Sequence, residues 1–83
     1  MSIVNAQKFL EKIQTDNEFR KEVTHTKELN KFEEILKNKN MNFSSSEMEE
    51  GFNTLHVSCQ SYEQAEDLKN AYLFYQLLIS SIS

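Results

Sequence analysis

Helix-start signals recur at short intervals along this chain, and almost nothing in it can break a helix. Ser2 precedes Ile3-Val4-Asn5-Ala6-Gln7-Lys8-Phe9-Leu10, Thr15-Asp16-Asn17-Glu18 precedes Phe19-Arg20, and Ser44-Ser45-Ser46-Glu47 precedes Met48. At each, a side-chain oxygen is placed to accept a hydrogen bond from a free amide of the first helical turn. In two of them a Glu three residues on is placed to reach back, the capping-box pattern. The 83 residues hold one Gly and no Pro, which argues against turn-rich β architecture. Such close punctuation specifies a small helical module and leaves no room for a cleft.

Apolar spacing fills in the elements. Ile3, Ala6, Phe9, Leu10 and Ile13 share one face of a first helix over about 3–14, with Ser2 as its N-cap. Thr15 and Glu18 fit a capping box for a short second helix carrying Phe19 and Val23, with Asp16 as the alternative cap. A third helix, about 27–38, places Leu29, Phe32, Ile35 and Leu36 together and ends on Lys37 and Lys39, where cations suit the carbonyl pole. Asn38 and Asn40 both tolerate the left-handed conformation that terminates helices, and Met41 and Phe43 are expected to fold back onto the core.

Ser44 and Glu47 open a further helix with Met48, Phe52, Leu55 and Cys59 at one- and two-turn spacings. Leu55, Val57 and Cys59 also alternate, as a strand would, but a lone strand has no partner, so helix is preferred. Ser61 and Gln64 form a third capping box before the longest helix, about 62–80, striped by Tyr62, Ala65, Leu68, Tyr72, Tyr75, Leu78 and Ile82. Leu73, Phe74, Leu77 and Ile79 lie off that stripe, so Ala71 to Ile79 is apolar nearly all round. Such a helix end needs cover from the core, a second copy or another protein.

Composition narrows the function classes. Residues 1–43 carry eight Lys/Arg against seven acids, and residues 44–83 carry Lys69 alone against six, so the net charge of −4 splits into +1 and −5. With no concentrated basic face, nucleic acid is not an expected partner. The acidic stretch Glu47 to Asp67 would suit a basic groove on another protein, though such stretches commonly form a solvated face. One Cys cannot close an internal disulfide, no secretory pattern opens the chain, and no run approaches a membrane span, which together lead to an expected cytoplasmic setting.

Tests for chemistry are negative. His56 and Cys59 stand one turn apart, but a zinc site needs three or four ligands and His25 is remote, so Cys59 reads as a small core residue. Nothing marks an oxyanion hole or an orienting third group for Cys–His catalysis. The pairs Glu33-Glu34, Glu49-Glu50 and Glu66-Asp67 sit on polar faces, and one Gly excludes a phosphate-cradling loop. Tyr72, Phe74 and Tyr75 have no Arg or Lys among them and read as packing residues, not a base-stacking platform. No catalytic residue, cofactor or metal is expected.

Two segments together resemble a known family. Ala6-Gln7-Lys8-Phe9-Leu10-Glu11-Lys12-Ile13, followed by Thr15-Asp16-Asn17-Glu18-Phe19-Arg20, is similar to the opening of the nitrogen-fixation-type leader-peptide family. Asn40-Met41-Asn42-Phe43-Ser44-Ser45-Ser46-Glu47-Met48-Glu49-Glu50 follows that family's turn into a Glu-rich helix. The resemblance spans roughly residues 3–50. Members are small helical proteins associated with nitrogen-fixation loci, or leader portions of ribosomally made, post-translationally modified peptides. It implies a non-catalytic chain bound by a maturation enzyme, with the recognised surface on residues 3–50 and candidate anchors at Phe19, Phe43 and Met48, each of which reads first as a core residue.

The chain also departs from the pattern. Asn40 stands where the family has a turn Gly, and Gly51-Phe52 offers no Gly-Gly or Gly-Ala cleavage pair. The tail reads as a folded helix and not a modifiable core. The fold expected is thus an all-α bundle of four to five helices forming one domain over 1–83, with a leader-like module at 3–50 and a helical extension at 51–83. Its partner is expected to be another protein, a maturation enzyme or, for a stand-alone regulator, inhibitor or immunity-type factor, a regulated target. The second role would use the acidic helix or the apolar tail, where Tyr72, Phe74 and Leu77 are the candidate contacts; the apolar block of the last helix points, in either role, to a homodimer or a docked partner.

Overall fold

The computed structural model describes residues 3–82 as five helices: α1 (Ile3–Thr15), α2 (Asn17–Thr24), α3 (Leu29–Asn38), α4 (Ser45–Ser58) and α5 (Tyr62–Ile82). No strand occurs among the described residues, so 53–58 is helical and only Cys59, just past α4, turns extended (φ −63°, ψ 134°). Ser2, the expected first cap, lies outside the described residues.

The helix ends are built from the side chains the sequence supplies, with two corrections. Before α2 the cap is Asp16, whose Oδ1 accepts from the Phe19 amide at 3.1 Å. Thr15 does not cap it: α1 runs through that residue, and its hydroxyl donates back to the Glu11 carbonyl at 3.0 Å. Ser44 and Glu47 form both arms of their box, at 3.2 and 2.8 Å. Ser61 caps the Gln64 amide at 3.1 Å, but the Gln64 side chain accepts from Gln60, one residue earlier than the box pattern places it.

α3 starts two residues later than the spacing predicts, because Glu28 adopts the cap position without a side-chain cap bond. It ends on Asn40 in the left-handed region (φ 56°). The Met41 amide donates to Leu36 O at 2.8 Å and the Asn40 amide to Lys37 O at 3.1 Å. That is the Schellman arrangement, with buried Met41 lying against buried Leu36 as its apolar closure.

α1 is the hub. Ala6, Phe9, Leu10 and Ile13 are all buried, and α1 packs along α4, α5 and α2. The α1–α4 crossing is close because Gly51 has no side chain: a Cβ there would stand 3.2 Å from the Ile3 carbonyl oxygen and 3.4 Å from the Ala6 Cβ. The helix-propensity deficit of Gly51 is therefore offset by the approach it allows.

Phe9 sits at the centre of the core, with Phe19, Phe32, Phe43 and Tyr75 rings at 5.7, 5.8, 5.5 and 5.7 Å. Three of the four contacts are edge-on, the preferred geometry for quadrupolar rings. α3 approaches no other helix backbone extensively and is joined to the core through Phe32 and Leu36.

The buried face of α5 is Leu68, Ala71, Tyr75 and Leu78. Tyr62 does not continue it. It begins the helix at the α4–α5 corner, 81% exposed, with its hydroxyl donating to Glu66 Oε1 at 3.0 Å. Leu73 and Leu77 face outward, so the apolar block of this helix is only partly covered by the core.

Candidate partner-binding site

The six residues expected to meet a partner do not form one patch. Phe19 and Met48 are core residues; the Phe19 ring is covered by the Lys12 and Lys39 ammonium groups, 5.6 and 5.8 Å from its centroid. Tyr72 is half-buried and stacked on Phe52 at 4.2 Å, on the α4 side of α5. Phe74 is half-buried beneath the Arg20 guanidinium, whose Cζ lies 4.8 Å from the ring. Leu77 projects outward. Phe43 alone among the six lines an apolar groove.

That groove, of about 240 Å³, runs between α3 and the start of α4 beside the end of α5. Phe32, Leu36, Phe43, Tyr75 and Ile79 form its floor and walls, with Glu33, Ser44 and Ser45 as the polar members. Leu29 stands on its lip and is 38% exposed, because α3 begins at that residue and its first turn extends past the core. Burial pushes the Tyr75 phenol above its ordinary range, while a side-chain hydrogen bond with Ser45 works in the opposite direction. The groove can receive an apolar side chain and offers hydroxyls at its edge.

A larger, more open groove of about 530 Å³ lies between α2 and α3. Glu22, Glu28 and Glu34 line it together with Lys27 and Lys31, so neither charge sign dominates. Among the described residues no three His, Cys, Asp or Glu side chains are grouped to hold a metal ion. His56 stacks on Phe52 at 5.5 Å, and the Cys59 thiol donates to the Leu55 carbonyl oxygen at 3.4 Å. Cys59 is half-buried against the core, the role its place in the stripe predicts.

Arg20 is the residue whose role no local pattern conveys. Tyr72 to Tyr75 contain no cation in sequence, yet the fold brings one from α2 onto Phe74. At the other end of α2, the Asp16 carboxyl is held below its ordinary value of 3.8 by the Phe19 amide and then by Lys12, whose Nζ is 3.0 Å away. These contacts tie the short α2 to α1 and α5.

The chain folds as a small all-α bundle with an apolar groove beside its third helix. The Nif11 domain model matches residues 1–48, more than half of the chain, and the protein belongs to the Nif11 family. This is a precursor and leader-peptide domain family, not a catalytic one. No curated protein and no solved structure gives a match to the chain. No helix among the described residues is long and apolar enough to cross a membrane.

Proposed function

We propose that this chain is a non-catalytic recognition domain of the leader type, bound by a peptide-modifying maturation enzyme in the cytoplasm. The observation that carries the proposal is the Nif11 match over residues 1–48. In this proposal residues 3–50 act as the recognised module and 51–83 as a helical extension that completes its core.

The groove of α3 supports the same assignment. Leu29, Phe32, Leu36 and Phe43 come from the matched segment, and only Tyr75 and Ile79 come from the extension. A large apolar side chain of the enzyme enters beside Phe43, with Leu29 closing over it. Such anchoring of one side chain in a desolvated pocket carries most of the energy in many protein interfaces.

A second role, as a stand-alone interaction protein acting on a regulated target, is favoured by the outward Leu73 and Leu77, which lie outside the matched segment. Co-expression with candidate maturation enzymes, followed by copurification and intact-mass measurement, separates the two. Enzyme binding that Leu29→Glu abolishes is the expected result, and a mass change confined to the tail would mark the chain as a precursor. A stable stoichiometric complex with unaltered mass and no response to Leu29→Glu would favour the second role.

A further inference from the structure

The outward face of α5 carries a pattern that the core does not require. Tyr62, Glu66, Lys69, Leu73 and Leu77 follow at steps of four, three, four and four, one continuous stripe opposite the buried Leu68, Ala71, Tyr75 and Leu78. Tyr62, Leu73 and Leu77 are 81%, 51% and 63% exposed, and Val57 on the last turn of α4 is 85% exposed. Only Val4 and Leu29 are other exposed large hydrophobics among the described residues. The ion pairs among those residues are Lys12–Asp16 and Lys39–Glu22, so Glu66 and Lys69 form none among the described residues. Lys69 is also the one cation in residues 44–83.

We infer that this stripe docks against the same stripe of a second copy, antiparallel, about a twofold axis between Glu66 and Lys69. An isologous contact requires every group to meet its complement across one axis. The stripe satisfies that requirement twice over, because Glu66 with Lys69 and Tyr62 with Leu73 share a single midpoint along the helix. Glu66 then faces the partner's Lys69, and Tyr62 faces the partner's Leu73, each pair occurring twice. The same register carries the partner's Leu77 beyond the first turn of α5 to the α4–α5 corner, where Val57 is exposed.

A parallel pairing would set Glu66 against Glu66 and Lys69 against Lys69, so the charges select the antiparallel one. The hydrogen bond from the Tyr62 hydroxyl holds the Glu66 carboxylate on the stripe. The paired stretch from residue 62 to 73 is about 18 Å long at helical rise. That is short for a stable dimer, so association depends on protein concentration.

The proposal is independent of the leader role and is tested on the full chain by sedimentation equilibrium, with circular dichroism as the check that each variant is folded. The apparent mass should rise from 9.8 kDa toward twice that value with concentration. Glu66→Lys alone and Lys69→Glu alone should each raise the dissociation constant about tenfold or more, because two attractive pairs become repulsive. An equimolar mixture of the two variants should recover the dimer, since each then meets its opposite charge in the other. A wild-type chain monomeric up to about 1 mM would overturn the dimer. A dimer insensitive to either reversal, or not recovered in the mixture, would overturn this interface. A monomer that still binds a maturation enzyme would overturn the dimer and leave the leader proposal intact.

Discussion

The family-matched segment and the hairpin of α4 and α5 that follows use their apolar residues differently. Residues 3–48 place Phe9, Phe19 and Phe32 in one buried cluster and leave Val4 and Leu29 as their exposed large hydrophobics. The hairpin covers that cluster with Leu68, Ala71, Tyr75 and Leu78, yet keeps Val57, Tyr62, Leu73 and Leu77 in solvent. Charge divides the same way, nearly balanced before Ser44 and strongly acidic after it. The first region supplies the centre of the core and most of the lining of the apolar groove at its edge. The second serves that core with one face and presents another outward.

The sharpest way to break this contrast is to empty the centre of the first region. Phe9→Ala removes the ring that touches four others and should cost about 3–5 kcal/mol, enough to unfold much of a domain this small. Leu77→Ala on the outward face should stay within about 0.5 kcal/mol. Urea unfolding of the two variants measures the difference directly, and comparable losses would contradict the division of faces.

The joint between the regions is the close crossing of α1 and α4. Gly51→Val should destabilise the chain by about 1–3 kcal/mol in the same assay, since its side chain would press on the Ile3 carbonyl and Ala6. A smaller and opposite effect is expected at the turn of α3. Asn40→Gly should stabilise by up to about 1 kcal/mol, because glycine adopts the left-handed conformation without strain. A destabilised glycine variant would mean that the Asn40 side chain contributes something beyond backbone tolerance.

The smallest effects are in pH dependence and have opposite signs in the two regions. The depressed Asp16 carboxyl contributes stability that is present above its unfolded value near 3.8 and is lost as pH falls through the lower folded value. The raised Tyr75 phenol contributes stability present below its unfolded value near 10 and lost as pH rises through the higher folded value. Asp16→Asn should therefore flatten the acid limb of the thermal-stability profile and Tyr75→Phe the alkaline limb. Either variant acting on the other limb would contradict these assignments.

Much of this architecture was legible in the residues themselves. Ser44 with Glu47, Asn40 with Met41, and the apolar spacing of α1 are local patterns, and local patterns determine where helices start, stop and turn apolar. The spacing of α5 was legible too, but not its rotation against the core. Which of several apolar lines faces inward depends on the neighbours, so the spacing wrongly includes Tyr62 and leaves out Ala71. Periodicity groups Leu29 with Phe32 and Leu36, yet it sits at the lip because α3 begins there. The Arg20–Phe74 contact joins residues more than fifty apart in sequence, and no local signal announces it.

Titration calorimetry of a maturation enzyme against the wild-type chain, Leu29→Glu and Leu77→Glu tests most directly whether recognition lies on the matched segment, apart from the outward face of α5. The expected result is binding lost with Leu29→Glu and unchanged with Leu77→Glu. Binding that survives Leu29→Glu and fails with Leu77→Glu would place recognition on the hairpin and contradict the account.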